Sequence, residues 1–252
     1  MHIVVQQDVV VSYLLVMTRL LTVLTVAPPF GGSSLPLQVR IAIAAAVGLA
    51  VAPVAATELP ASTSALVVAI VYQVVVGALF GYLIQLLLAA PLVAGTLIDF
   101  MTGFSAGGLF DPFSDSSTTP AGRLNQMVAI IILVALDGHL MIVRGAIRSY
   151  EAAPLTGLRI DSLESVLAEG VGQLVLAAIE IALPVLVALL LTEVVLGLAA
   201  RAAPRLNVMV VGFAVKGIVF LLVFAVTLPL VINAVAALLD RALRWGLAIV
   251  GA

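Results

Sequence analysis

The apolar run Leu206 to Leu239 contains only Asn207, Lys216, Thr227 and Asn233 as polar residues and a single proline, Pro229. As one helix at about 1.5 Å per residue it would reach roughly 51 Å, against about 30 Å for the hydrocarbon core of a bilayer. A simple membrane bundle has no use for such a length. Six apolar segments are visible: Val9 to Ala27, Ile41 to Ala56, Leu66 to Ala94, Met127 to Ile147, Leu174 to Ala200, and Leu206 to Leu239. A span needs about 20 apolar residues, so the first and fourth fit, the second is short, and the other three are over-long. The third alone would run roughly 43 Å. With 63% hydrophobic and 10% charged residues and a mean hydropathy of +1.31, the chain is far from a soluble domain, in which about a quarter of residues are charged. The expectation is an all-α, membrane-associated protein of about six long helices and helical hairpins.

Proline punctuates these segments. Pro28-Pro29 is expected to end the first and Pro53 the second; Pro91 falls near the end of the third, and Pro184 and Pro229 interrupt the fifth and sixth. Each removes a backbone donor and kinks or stops its helix, so kinked helices are expected.

Several function classes are excluded early. A net charge of -2 gives no basic footprint for nucleic acid. Without cysteine there is no thiolate metal site or thiol nucleophile, and His2 and His139 are too far apart in sequence to seed a histidine site. Met1 to Asp8 carries no Lys or Arg, so the N-terminal run reads as structure and not as a cleavable signal. If all six segments crossed a membrane, Arg144, Arg148, Arg159, Arg241 and Arg244 would lie on one side and Arg40, Arg123, Arg201 and Arg205 on the other. The positive-inside rule needs a clear excess, and this division supplies none. Either several segments do not span, or something besides the bilayer holds the chain.

Charges inside the apolar runs sharpen the point. A central Asp, Lys or Arg costs about 2.5 to 3.5 kcal/mol on the insertion scale, yet Arg19, Asp137, Glu180, Glu193 and Lys216 lie inside segments and Asp99 just beyond the third. The choice is between an ion or proton path and structural pairing among helices or subunits. No spacing here is that of a relay, which favours pairing. One pair follows from geometry: if "RAAPRLN", Arg201 to Asn207, is a hairpin tip, Glu193 and Lys216 both lie roughly 17 Å from the turn and form an intrahairpin ion pair. In "LDGHL", Leu136 to Leu140, side chains two apart diverge and no nucleophile is present. Asp137, Gly138 and His139 are therefore expected to mark a helix break, with Asp137 as a cap. Gly77 and Gly81 form a GxxxG close-packing motif.

The stretch "FSAGGLFDPFSDSSTTP", Phe104 to Pro120, is too apolar for a linker and too rich in Gly and Pro for a helix. By composition it is a buried inter-helix loop or a seal.

Five stretches, taken in order, carry a resemblance over nearly the whole chain: "APPFG" (Ala27 to Gly31) followed by Pro36 and Arg40, "QVVVGALFG" (Gln73 to Gly81), "FDP" (Phe110 to Pro112), "LDGHL", and "RAAPRLNVMVVGF" (Arg201 to Phe213). In this set the chain resembles the FliR/SctT family of type III export gate subunits, most nearly its flagellar branch. The resemblance implies a non-enzymatic subunit of the bacterial inner membrane and flagellar basal body, built with the P and Q gate subunits into a helical channel assembly for unfolded export substrates, and neighbouring the A and B subunits of the apparatus. Residues 1–165 would resemble the P subunit and 166–252 the Q subunit. No cofactor, metal or catalytic residue is implied. The imbalance between segment length and bilayer thickness would follow, because apolar surface then serves subunit contact as much as lipid contact.

The resemblance further implies that the loop from Gly103 to Pro120 plugs the resting channel through Gly103, Phe104, Ser105, Ala106, Gly107, Gly108, Leu109, Phe110, Asp111, Pro112 and Phe113. Apolar side chains on a glycine-flexed backbone exclude water, yet yield because few regular hydrogen bonds hold them. Where the family has a bulky aromatic this chain has Ala106, so Leu109, Phe110 and Phe113 would supply the seal. Other departures from the family pattern are Asp99 in place of a Glu near Thr96, Ala214 in place of a proline, Arg205 in place of Gln, and charges at Glu193 and Lys216. A rival reading of the residues alone is a small-solute secondary transporter that uses Asp137, Glu180, Glu193 and Lys216 at broken helices; no inverted repeat supports it.

Overall fold

The computed structural model describes residues 7–32, 35–55, 60, 62–104, 119–152, 163–203 and 207–251. Among them every regular element is a helix: α1 (Gln7–Val26), α2 (Leu37–Ala55), α3 (Thr63–Leu88), α4 (Ala90–Thr102), α5 (Pro120–Ala135), α6 (Gly138–Ala152), α7 (Leu163–Ala202) and α8 (Val208–Gly251). Four stretches are long and apolar enough to cross a membrane, Asp8–Val26, Thr63–Thr102, Leu167–Ala202 and Val210–Ala248, and a fifth arises if α5 and α6 count as one broken span. The protein is an all-α membrane protein.

The prolines act less uniformly than their chemistry alone suggests. α1 stops at Val26, before Pro28-Pro29, whose peptide bond is cis. Pro53 sits inside the last turn of α2 and not beyond it. Pro184 and Pro229 do not interrupt anything: α7 runs 40 residues through the first and α8 runs 44 through the second. A single missing donor removes one rung of a ladder with many others, and the long apolar flanks keep the chain helical. Near Pro229 the hydroxyl of Thr227 donates to the carbonyls of Val223 (2.9 Å) and Phe224 (3.2 Å), which keeps polar groups paired within the helix. The third segment likewise overruns its expected end, with a single turn residue, Ala89, separating α3 from α4 and Pro91 placed in the first turn of α4.

The chain forms two compact units. The first comprises residues 1–88, 133–171 and 238–252, and the second residues 89–132 and 172–237. In the first, α1 packs on α2 and α3. The GxxxG motif makes the α1–α3 approach: a methyl group on Gly77 would lie 2.7 Å from the Arg19 carbonyl oxygen, and one on Gly81 would lie 2.9 Å from Val26 Cβ. Two glycines from other helices close on the ring of buried Phe80, Gly145 at 3.0 Å and Gly246 at 2.6 Å by the same measure. The "APPFG" turn is held from α2, where Arg40 donates to the carbonyls of Leu35 (2.8 Å) and Gly32.

These approaches make a direct prediction. Gly77→Ala should destabilise the detergent-solubilised chain by about 1–3 kcal/mol, the usual range for overpacking. Gly172→Ala, with nothing within 4 Å of the added carbon, should be neutral or stabilising by about 0.5–1 kcal/mol through helix propensity. Thermal unfolding of the two variants should order them that way, and equal midpoints would contradict the tight α1–α3 contact.

At the centre of the first unit lies Arg19, fully buried. Its Nε donates to Gln73 Oε1 (2.6 Å) and its Nη1 to the Ser149 carbonyl (2.9 Å) and hydroxyl (3.2 Å), while the guanidinium carbon sits 4.3 Å from the centre of the Tyr150 ring. Tyr150 in turn donates its hydroxyl to the Val16 carbonyl at 2.7 Å. One side chain thus ties α1, α3 and α6 by hydrogen bonds with fixed directions, which non-directional apolar packing does not supply.

Candidate functional site

Residues 105–118 lie outside the described residues, and with them Ser105, Ala106, Gly107, Gly108, Leu109, Phe110, Asp111, Pro112 and Phe113. Gly103, Phe104, α4 and α5, the two helices that frame the loop, are described, and all but the last three residues of α5 belong to the second unit.

α4 ends because Gly103 adopts the left-handed conformation (φ 86°) and returns its N–H to the Asp99 carbonyl at 3.0 Å, a glycine C-cap. The Thr102 hydroxyl donates to the same carbonyl at 3.1 Å. Asp99 also serves the other side of the loop. Its carboxylate, fully buried, accepts the backbone N–H of Ala121 at 3.0 Å and of Gly122 at 2.9 Å. These are first-turn donors of α5 that have no partner within their own helix, so Asp99 caps α5 from α4, and a negative group is favoured at that positive helix end. The clasp needs the two backbones almost in contact. They are: a methyl group on Gly95 would fall 2.5 Å from the Ala121 carbonyl oxygen and 2.5 Å from Gly122 Cα. Farther into α5, Asn125 donates back to the Ala121 carbonyl at 3.0 Å.

Phe104 leaves this stem and packs on α8. Its ring meets Phe213 edge to face, with centroids 5.1 Å apart and planes at 73°, the arrangement that ring quadrupoles prefer. Gly217, one turn on, leaves room for it, since a methyl group there would lie 3.4 Å from the Phe104 ring. Between these two positions Lys216 donates from Nζ to the carbonyl of Met101 at 3.3 Å and forms an ion pair with Glu193 of α7. The Lys216 side chain is mostly buried and that of Glu193 more than half exposed. Glu193 and Lys216 therefore meet between α7 and α8, as the count from the two arms predicted. Engaged with each other, they are poorly suited to carry a coupling ion.

The other sequence-derived group is apart from this. In the first unit, Asp137 (φ 56°) separates α5 from α6 in the left-handed region that favours Gly or Asn. Its carbonyl accepts the N–H of Leu140 (3.0 Å) and Met141 (3.1 Å), so its backbone, and not its exposed side chain, opens α6. Gly138 is required by contact: a methyl group would lie 2.7 Å from Leu239 Cδ2 and 2.8 Å from the Leu133 carbonyl oxygen. His139 Nδ1 is buried without a hydrogen-bond partner. Among the described residues no three His, Cys, Asp or Glu side chains are grouped to hold a metal ion.

The sequence marked Asp99 as an acid beyond an apolar run and as a departure from the family pattern, but did not assign it to α5. The available signal was the helix start at "TTP", which offers proline at the first position but no acidic residue for its first turn. Gly95 and Gly122 carried no signal, because their contact spans the loop.

Residues 10–242 match the family described as bacterial export proteins, family 1. The chain is 27% identical over 215 residues to the flagellar biosynthetic protein FliR of Escherichia coli K12, covering 84% of this chain and 82% of that protein. It is 27% identical over 256 residues to FliR of Bacillus subtilis 168, covering 97% of both. It is 29% identical over 195 residues to the surface presentation of antigens protein SpaR of Salmonella typhimurium LT2, covering 75% and 74%.

Proposed function

Because this chain belongs to family 1 of the bacterial export proteins, the family of the FliR and SpaR relatives, we propose that it is a non-enzymatic core subunit of the flagellar type III protein export gate. In this reading it joins P and Q subunits, with residues 1–165 resembling the P subunit and 166–252 the Q subunit, around a conduit in the inner membrane that passes unfolded flagellar proteins. The A and B subunits of the apparatus are its further neighbours, and the Gly103 to Pro120 loop closes the conduit at rest.

The observation that carries the gate reading is the stem. A segment that seals and then yields needs ends that do not move with it. Asp99 holds both of its flanking helices through backbone groups, and Phe104 is wedged against Phe213 beside Lys216. Force on the intervening residues then displaces the loop while α4 and α5 stay packed. Assembly with other subunits is supported by the apolar surface left over: only 33% of the most apolar window of α7 and 22% of that of α8 is buried within the chain.

Deleting Gly107 to Phe110 should leave the complex assembled, since none of the described stem contacts is removed, and should make membranes leaky to small solutes. Ion or dye efflux from vesicles carrying the purified complex measures this. Unchanged permeability in an assembled complex would remove the plug assignment but leave the export assignment intact. The latter is tested by whether cells lacking this chain still release flagellar proteins to the medium; undiminished release would defeat it.

A further inference from the structure

Glu180 is the only charged residue between Leu174 and Leu191 and lies within the apolar span Leu167–Ala202, whose mean hydropathy is 2.8. Its side chain is exposed on a stripe of α7 with Leu176, Ile179, Leu183 and Val187, all exposed. This three- and four-residue spacing is one helix face. Glu193 on the same helix is neutralised by Lys216, whereas Glu180 forms no ion pair with a described residue. A second observation falls at the same level. Pro184, four residues on, lies inside continuous helix and has no N–H, so the Glu180 carbonyl loses its helical donor. Glu180 thus combines an exposed carboxylate with a carbonyl that lacks its i+4 helical donor.

Lipid tails offer neither charge nor donor to such a pair. A lysine or arginine offers both, because each carries several N–H donors on one cation. We propose that this face of α7, centred on Glu180, is the docking surface for an apolar transmembrane helix of a partner subunit that carries one lysine or arginine level with Glu180. The leucines and valines of the stripe pack against that helix, and the acceptor pair fixes its register, since sliding by one turn would strand the cation among apolar side chains. The inference does not depend on whether the loop seals a conduit.

The test uses the full chain in its native membranes. A photoreactive benzoylphenylalanine at Leu183 should cross-link to a protein, and the adduct peptide should hold a lysine or arginine within one helical turn of the attachment point. Glu180→Lys should then lower recovery of that partner about ten-fold, as like charges replace a matched pair, and changing the mapped cation to glutamate should restore it. Glu180→Gln, which keeps the side-chain volume and adds no charge, should give an intermediate loss and guards against misfolding as the cause. Adducts to lipid alone, an adduct peptide without a basic residue, or unchanged recovery with Glu180→Lys would each overturn the proposal. Such a failure in a chain that still co-purifies with export subunits leaves the export reading standing, whereas a basic partner helix found outside any export complex would sink that reading and not this one.

Discussion

Asp99→Ala should destabilise the protein by about 4 kcal/mol, since two buried N–H groups lose their acceptor at about 1–3 kcal/mol each. The donors are those of Ala121 and Gly122, both buried. Asp99→Asn should cost less, because its amide keeps one acceptor oxygen while its NH₂ opposes the second donor. Reversible unfolding in mixed detergent micelles would give the size, and amide hydrogen exchange would give the location: the first turn of α5 should lose protection before the rest of the helix. Even loss across the second unit, or no loss at all, would mean that the clasp does not hold the stem. The functional consequence follows from the proposed role of the loop. Fraying of α5 loosens one end of the stem, so the Asp99→Ala complex should also leak.

Arg19→Met should cost a similar amount, about 4 kcal/mol, for a different reason: it leaves Gln73 Oε1 and the Ser149 carbonyl without their buried donor, at about 1–3 kcal/mol each, and removes the ring contact with Tyr150. The informative measurement is a double-mutant cycle. Arg19→Met with Gln73→Leu removes both partners of one bond and should recover part of the loss, because matched apolar groups are far cheaper than an orphaned polar one. Arg19→Lys should not rescue, since an ammonium lacks the planar fork that serves Gln73 and Ser149 from opposite sides. If the double variant is as unstable as the sum of the singles, the Arg19–Gln73 bond contributes nothing of its own.

Both predictions rest on residues that the sequence marks as costly but does not partner. Arg19, Asp99, Glu180, Glu193 and Lys216 all stand out as charges in or beside apolar runs. Only Glu193 and Lys216 could be paired in advance, because a hairpin relates its two arms by simple counting from the tip. Arg19 finds its acceptors 54 and 130 positions away, and Asp99 reaches residues 22 and 23 positions away across a loop of no regular length. No periodicity encodes such distances. The glycines behave alike. Gly77 and Gly81 advertise a contact by their spacing, whereas Gly95, Gly138 and Gly246 are isolated, and their need for a bare backbone appears only once a second helix lies 3 Å away.

What the sequence determined by itself was the class of the molecule and its punctuation: helices everywhere among the described residues, a turn after "TV" at the double proline, a break at Asp137, and the end of α7 at Ala202 with the start of α8 at Val208. These follow from hydropathy, from backbone donors that are present or missing, and from covalent geometry, all of which act within a few residues. Tertiary structure decided which prolines a helix absorbs, which acid caps which helix, and where an arginine is buried. Each of those outcomes is set by the free energy of satisfying a polar group, or excluding a methyl group, at a contact between segments distant in the chain, and that contact does not exist until the helices pack.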